Sequence, residues 1–127
     1  MKEKPIIPKI ADTYSEQQDA KEDTSVFIFT FGDYPLIRVI DFLIYSRDFD
    51  YPITEIASNS KVNFQTLKKL WPKLEQDRLV ISTRTMAGSI LYKINTNNPV
   101  VKKLIELNNF LCWEYAKKTE KEQEVVA

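Results

Sequence analysis

Between residues 63 and 73 the chain reads NFQTLKKLWPK, and its polar side chains fall in an order that could read a nucleic acid. At 100° per residue, Leu67, Leu70, Trp71 and Leu74 form one apolar stripe, while Gln65 and Lys69 point directly away from it. Thr66, Lys68 and Lys73 sit on the flanks. A glutamine carboxamide can pair with the adenine edge in a major groove, and a threonine methyl can meet a thymine methyl. Lysines supply the phosphate contacts that fix register. Asn63 precedes the stretch, where it can cap a helix and lie near a phosphate at its start. Downstream, Arg84 and Lys93 could reach a neighbouring minor groove or its backbone, with Ser89 and Thr85 as lesser contacts. The plain alternative is the solvated face of an amphipathic helix next to a polar turn.

The charge distribution favours the first reading. The 127-residue chain carries 18 basic and 18 acidic residues. Residues 56 to 95 nevertheless hold seven basic side chains (Lys61, Lys68, Lys69, Lys73, Arg78, Arg84, Lys93) against Glu75 and Asp77. The positive field is thus concentrated in the segment that holds the polar helix face. Catalysis finds little support. The chain has no histidine and two glycines, so it lacks the usual zinc arrangements and any phosphate-cradling glycine loop. Cys112, in an apolar stretch, reads as a packed thiol. Asp48 and Asp50 read as solubilising or capping groups in a polar loop. No enzyme activity, metal or cofactor is expected.

Three helical patterns and a hairpin must position the candidate residues. YPLIRVIDFLIYS (34 to 46) has helical spacing with Pro35 in its first turn after an Asp33 or Tyr34 cap. A short helix follows from Ile53 to Ser58, then the tight NSKV connection, then the helix from Phe64 to about Gln76. Val80 to Thr85 and Ser89 to Ile94 are rich in β-branched and aromatic residues and flank Met86-Ala87-Gly88, a compact connection. Residues 1 to 24 read as a flexible arm. SVFIFTFG, from Ser25 to Gly32, alternates like a short strand. The resulting division is an arm (1–24), a winged helix-turn-helix domain (25–98), a final helix (99–118) and a polar tail (119–127). The fold class is mainly α with a small β-hairpin (α+β), a winged helix-turn-helix plus a long C-terminal helix.

That order of elements, carried by FGDYPLIRVIDFLI, YPITEIASNSKVNFQTLKKLWPKLEQDRLV and RTMAGSILYKINTNNPVVKKLIEL, resembles the archaeal winged-helix transcriptional regulators related to the arsenic-repressor-like and MarR-like groups. In that resemblance Ile56 and Ala57 mark the second helix, Asn63 is the polar cap, and Leu79-Val80 leads into the wing. One departure is Arg78, where the family commonly has glycine at the exit of the recognition helix. Pro72, on the face away from the leucine stripe, is a second oddity.

In the final helix ten of the sixteen residues from Val100 to Tyr115 are apolar and wrap most of its circumference. One face can pack on the domain, while a second needs another partner. A homodimer through Val101, Leu104, Ile105, Leu107, Leu111, Trp113 and Tyr115 would set two recognition helices against a pseudo-palindromic duplex. The expected partners are therefore double-stranded DNA and a second copy of the chain, with any small-molecule effector unknown. A winged-helix module for protein–protein interaction is the alternative. No apolar run reaches membrane-spanning length, the first residues lack a signal-like apolar stretch, and the expected location is cytoplasmic.

Overall fold

The computed structural model describes residues 24 to 126, with side chains described to residue 119, so the proposed arm (1–24) lies, but for its last residue, outside the described residues. Helix α1 (Val26–Phe31) lies where the alternation predicts a strand. Its apolar residues fit either period, and the cap decides. Ser25 Oγ accepts from the Ile28 amide (3.1 Å) and donates to the Asp41 carboxylate (2.8 Å), starting a helical turn and tying it to the next helix. Phe27 and Phe31, four residues apart, then meet with ring centroids 5.0 Å apart. Burial raises the Asp41 pKa above its ordinary value, against the lowering effects of Ser25 and then Arg38.

Helix α2 (Pro35–Tyr45) starts on Pro35 as the sequence implies; Tyr34 is the N-cap without a side-chain bond, and Asp33 instead pairs with Arg38. Strand β1 (Tyr51–Pro52) was not anticipated; it exists only through its pairing with the hairpin. Helix α3 (Ile53–Ser60) runs two residues longer than the apolar pattern suggests. Helix α4 (Phe64–Gln76) has the predicted bounds. Strands β2 (Val80–Met86) and β3 (Ser89–Ile94) form the hairpin, and the antiparallel sheet has the order β1-β3-β2. Helix α5 (Pro99–Val126) continues past Lys118, so the segment expected as a tail from 119 is helical to Val126.

Helices α3 and α4 close in the same way. Lys61 and Arg78 both adopt φ 58°, in the left-handed region. The amides that follow reach back, Val62 to the Ala57 carbonyl (2.9 Å) and Leu79 to the Leu74 carbonyl (2.9 Å). Arg78 therefore takes up the conformation for which glycine is the usual residue. Its carbonyl accepts from the side chains of Asn95 (3.0 Å) and Asn98 (2.9 Å), which fasten the exit of α4 to the approach of α5.

One core joins these elements: Val39, Leu43 and Ile44 of α2, Ile56 of α3, Leu67, Trp71 and Leu74 of α4, Val80 and Ile94 of the hairpin, and Val101 of α5. The fold is a winged helix-turn-helix with a helix before it and a long helix after it.

The hairpin turn is Ala87-Gly88, two residues rather than the three read from the sequence, with φ 51° and 79°. Both values are positive, as in a type I′ turn, where Asn-Gly is preferred and an alanine is strained. Ala87→Asn should stabilise the chain by about 0.5–1 kcal/mol, read as a higher urea midpoint at unchanged slope. A lower midpoint would exclude this turn geometry.

Candidate nucleic-acid interface

Helix α4 presents two faces. Leu67, Trp71 and Leu74 are buried and Leu70 is partly so, whereas Gln65, Lys68, Lys69, Pro72 and Lys73 are exposed and Thr66 is intermediate. Pro72 lies on the solvent side, where its missing N–H leaves the Lys68 carbonyl without its helical donor. The turn that delivers this helix is three residues long, Lys61-Val62-Asn63, and Val62 is buried in the core. The orientation of α4 is therefore held at both ends, by Val62 before it and by the Asn95 and Asn98 clasp after it.

The predicted contact residues differ in how free they are. Asn63 Oδ1 accepts from the Gln65 amide (2.8 Å) and the Thr66 amide (3.4 Å), so its side-chain oxygen is committed to capping the helix rather than to a phosphate. Lys68 lies with Nζ 5.5 Å from the Phe64 ring centroid, which steadies its position without cancelling its charge. Lys69 is exposed, and neither lysine makes an ion pair among the described residues. Lys73 pairs with Asp77 at 2.9 Å, one turn along the same helix. Gln65, Lys68 and Lys69 thus form the open part of the face, with Thr66 beside them.

The hairpin is arranged otherwise than the sequence suggests. Arg84 is not free: Nε and Nη2 donate to the two oxygens of Asp50 at 3.0 and 3.1 Å. The Thr83 hydroxyl donates to the same carboxylate. These bonds, first from Arg84 and then from Thr83, lower the Asp50 pKa to about 2. Asp50 is thus a structural clasp, not a solubilising loop residue. It was missed because 34 residues separate it from its partner and neither neighbourhood signals the pairing. Ser89 is exposed at the far end of the hairpin, together with Met86 and Ile90.

The dimerisation set also divides. Val101 is 0% exposed in the core of its own chain and so does not face a partner, while Leu104 and Ile105 pack against that core with part of their surface left in solvent; all three hold α5 to the domain. Helix α1 packs on α5 as well, covering part of the apolar surface. Leu107, Phe110, Trp113 and Tyr115 remain exposed, with Leu111 partly covered. Cys112 is exposed, contrary to the packed thiol expected from its apolar neighbours. Elsewhere, a cavity of about 300 Å³ is lined by Ile28, Arg38, Asp41, Phe42, Tyr45 and the end of α3. Among the described residues no cluster of side chains could hold a metal ion, and no helix is long and apolar enough to cross a membrane.

No protein-family model matches the sequence, and no curated protein matches it. Solved structures do match. A mutant of Lactococcus lactis ZitR in apo form is similar over 88% of this chain and 88% of that one, at 21% identity and a TM-score of 0.57. A second structure of the same ZitR mutant matches 70% of this chain and 66% of that one, at 21% identity and a TM-score of 0.55. This match spans just under two thirds of that protein's length. The antimony-specific transcriptional repressor AntR matches over 63% of this chain and 68% of its own, at 22% identity and a TM-score of 0.49. The ZitR likenesses agree with the winged-helix architecture.

Proposed function

We propose that the chain is a sequence-specific, double-stranded-DNA-binding transcriptional regulator that acts as a homodimer in the cytoplasm and has no enzymatic activity. The observation that carries this reading is the two-faced α4. Its inner face is fixed in the core by Leu67, Trp71 and Leu74, and its outer face offers Gln65, Lys68 and Lys69 without acidic partners among the described residues. A helix held rigidly behind a short turn, presenting a carboxamide and cations, has the chemistry of major-groove readout. On α5, Val100, Leu104, Leu107 and Leu111 recur at intervals of four, three and four, the spacing of a two-helix seam. Leu107 and Leu111 would form the middle of the interface, flanked by Tyr115.

The test is the salt dependence of binding to duplexes selected from a random pool. If a dimer neutralises six phosphates, log affinity falls with log salt at a slope of about −5, since each phosphate contributes about 0.9. Lys68→Ala with Lys69→Ala removes four cations per dimer and should bring the slope to about −2. A slope near zero for the unaltered protein would exclude DNA as the partner. The second reading, a module that docks on another protein, is favoured by the hairpin tip, where Met86 and Ile90 are each 50% exposed and no charge is present.

A further inference from the structure

From Val80 to Ile90 the hairpin contains a single ionisable side chain, Arg84. In this outer part of the wing, electrostatic attraction for a polyanion therefore depends on that one guanidinium, the other cation of the hairpin being Lys93 further along β3. Its fork is already filled in the free protein, with Nε and Nη2 on the two carboxylate oxygens of Asp50. The placement is unusual in its topology. Asp50 immediately precedes β1, which lies at the opposite edge of the sheet from β2, with β3 between them. The carboxylate thus links the two outer strands across the central one. It meets β2 where the register shifts between Ser82 and Arg84, and Thr83, the residue at that irregularity, donates its hydroxyl to it. The Asp50 side chain is only 16% exposed, while that of Arg84 is 56% exposed, so solvent, or a phosphate, can approach the guanidinium while the acid stays covered.

Resting on the DNA-binding reading above, we propose that Asp50 is an affinity-limiting residue: an internal stand-in for a DNA phosphate that occupies the wing arginine and must be displaced before Arg84 can engage the duplex backbone. A carboxylate and a phosphate compete for the same two-pronged donor set. The wing thereby binds DNA less tightly than its sequence allows, and the discrimination between sites falls more heavily on α4.

The experiment is a double-mutant cycle on duplex binding, with unfolding curves for each variant. Asp50→Asn keeps an oxygen to accept from Thr83 but removes the charge that holds Arg84. It should raise duplex affinity about three- to tenfold at 0.1 M salt and steepen the salt slope by about 0.9 per freed arginine that reaches a phosphate. Arg84→Ala alone should change affinity less than twofold, because the arginine it removes is already occupied. In the Arg84→Ala background, Asp50→Asn should have no effect on affinity. Unchanged or weakened binding by Asp50→Asn in a folded protein that binds DNA normally overturns this proposal and leaves the DNA reading intact. Should Asp50→Asn not fold, Asp50→Ser provides the same comparison with a neutral acceptor. Absence of salt-dependent binding by every variant overturns both readings together. A large loss on Arg84→Ala alone would also refute it, since Arg84 would then be a standing DNA contact.

Discussion

Trp71→Ala is expected to lower the unfolding free energy by about 3–5 kcal/mol, the cost of emptying a large aromatic site in a packed core. Small domains are stable by about 5–15 kcal/mol in total, so this one change removes a large share of the fold's margin. Trp71 sits where three elements converge: it lies on the inner face of α4, in the same cluster as α2 and the hairpin, with the Tyr92 ring of β3 edge-on to it at 5.2 Å. Urea unfolding followed by far-ultraviolet circular dichroism reads the loss directly. The indole N–H is buried and has no hydrogen-bond partner among the described residues. Phenylalanine keeps most of the ring and deletes that donor, recovering part of a desolvation cost of about 1–3 kcal/mol. Trp71→Phe should therefore cost less than half as much as Trp71→Ala. Equal losses would mean that the indole N–H does have a partner.

The second large effect is on assembly. Leu107→Glu with Leu111→Glu places four like charges along the proposed two-helix seam and should convert a dimer to a monomer in analytical ultracentrifugation. Because a dimer engages two half-sites at once, losing it should weaken binding to a symmetric duplex by about a hundredfold or more. Binding to an isolated half-site should be little changed. The domain should still fold, since Leu107 is exposed and neither side chain belongs to the core cluster. Val101→Glu is the informative contrast: it buries a charge in the chain's own core and should unfold the protein rather than merely separate two copies. A monomeric unaltered protein would rule out the α5 seam.

How much of this was legible in the sequence depended on how local its cause was. The bounds of α4 follow from a cap and an apolar stripe written in consecutive positions, whereas the left-handed Arg78 that ends it carries no glycine to announce the turn. The 26–31 segment failed because VFIFTF alternates and is also apolar on every side. Period alone could not separate strand from helix, and Ser25 with its bond to Asp41, sixteen residues away, settles it. Strand β1 is two residues that pair only because β3 is beside them. The site shows the same divide. Gln65, Lys68 and Lys69 could be placed from helix periodicity, whereas the occupied state of Arg84 depends on a residue far back in the chain. On α5 the composition revealed excess apolar surface but not its division, because the direction of Val101 is fixed by where Asn98 starts the helix.

Helix α4 shares almost no side chain between the face that is anchored and the face that is open. Leu67, Trp71 and Leu74 meet the core, and positions 65, 68, 69 and 73 meet solvent. A change at the latter positions leaves every buried contact in place, so the target preference of such a protein can drift through point substitutions without passing through unstable intermediates. The same separation makes the outer residues a cassette: a different set of six or fewer side chains could be transplanted onto this scaffold, and its folding would scarcely register the exchange.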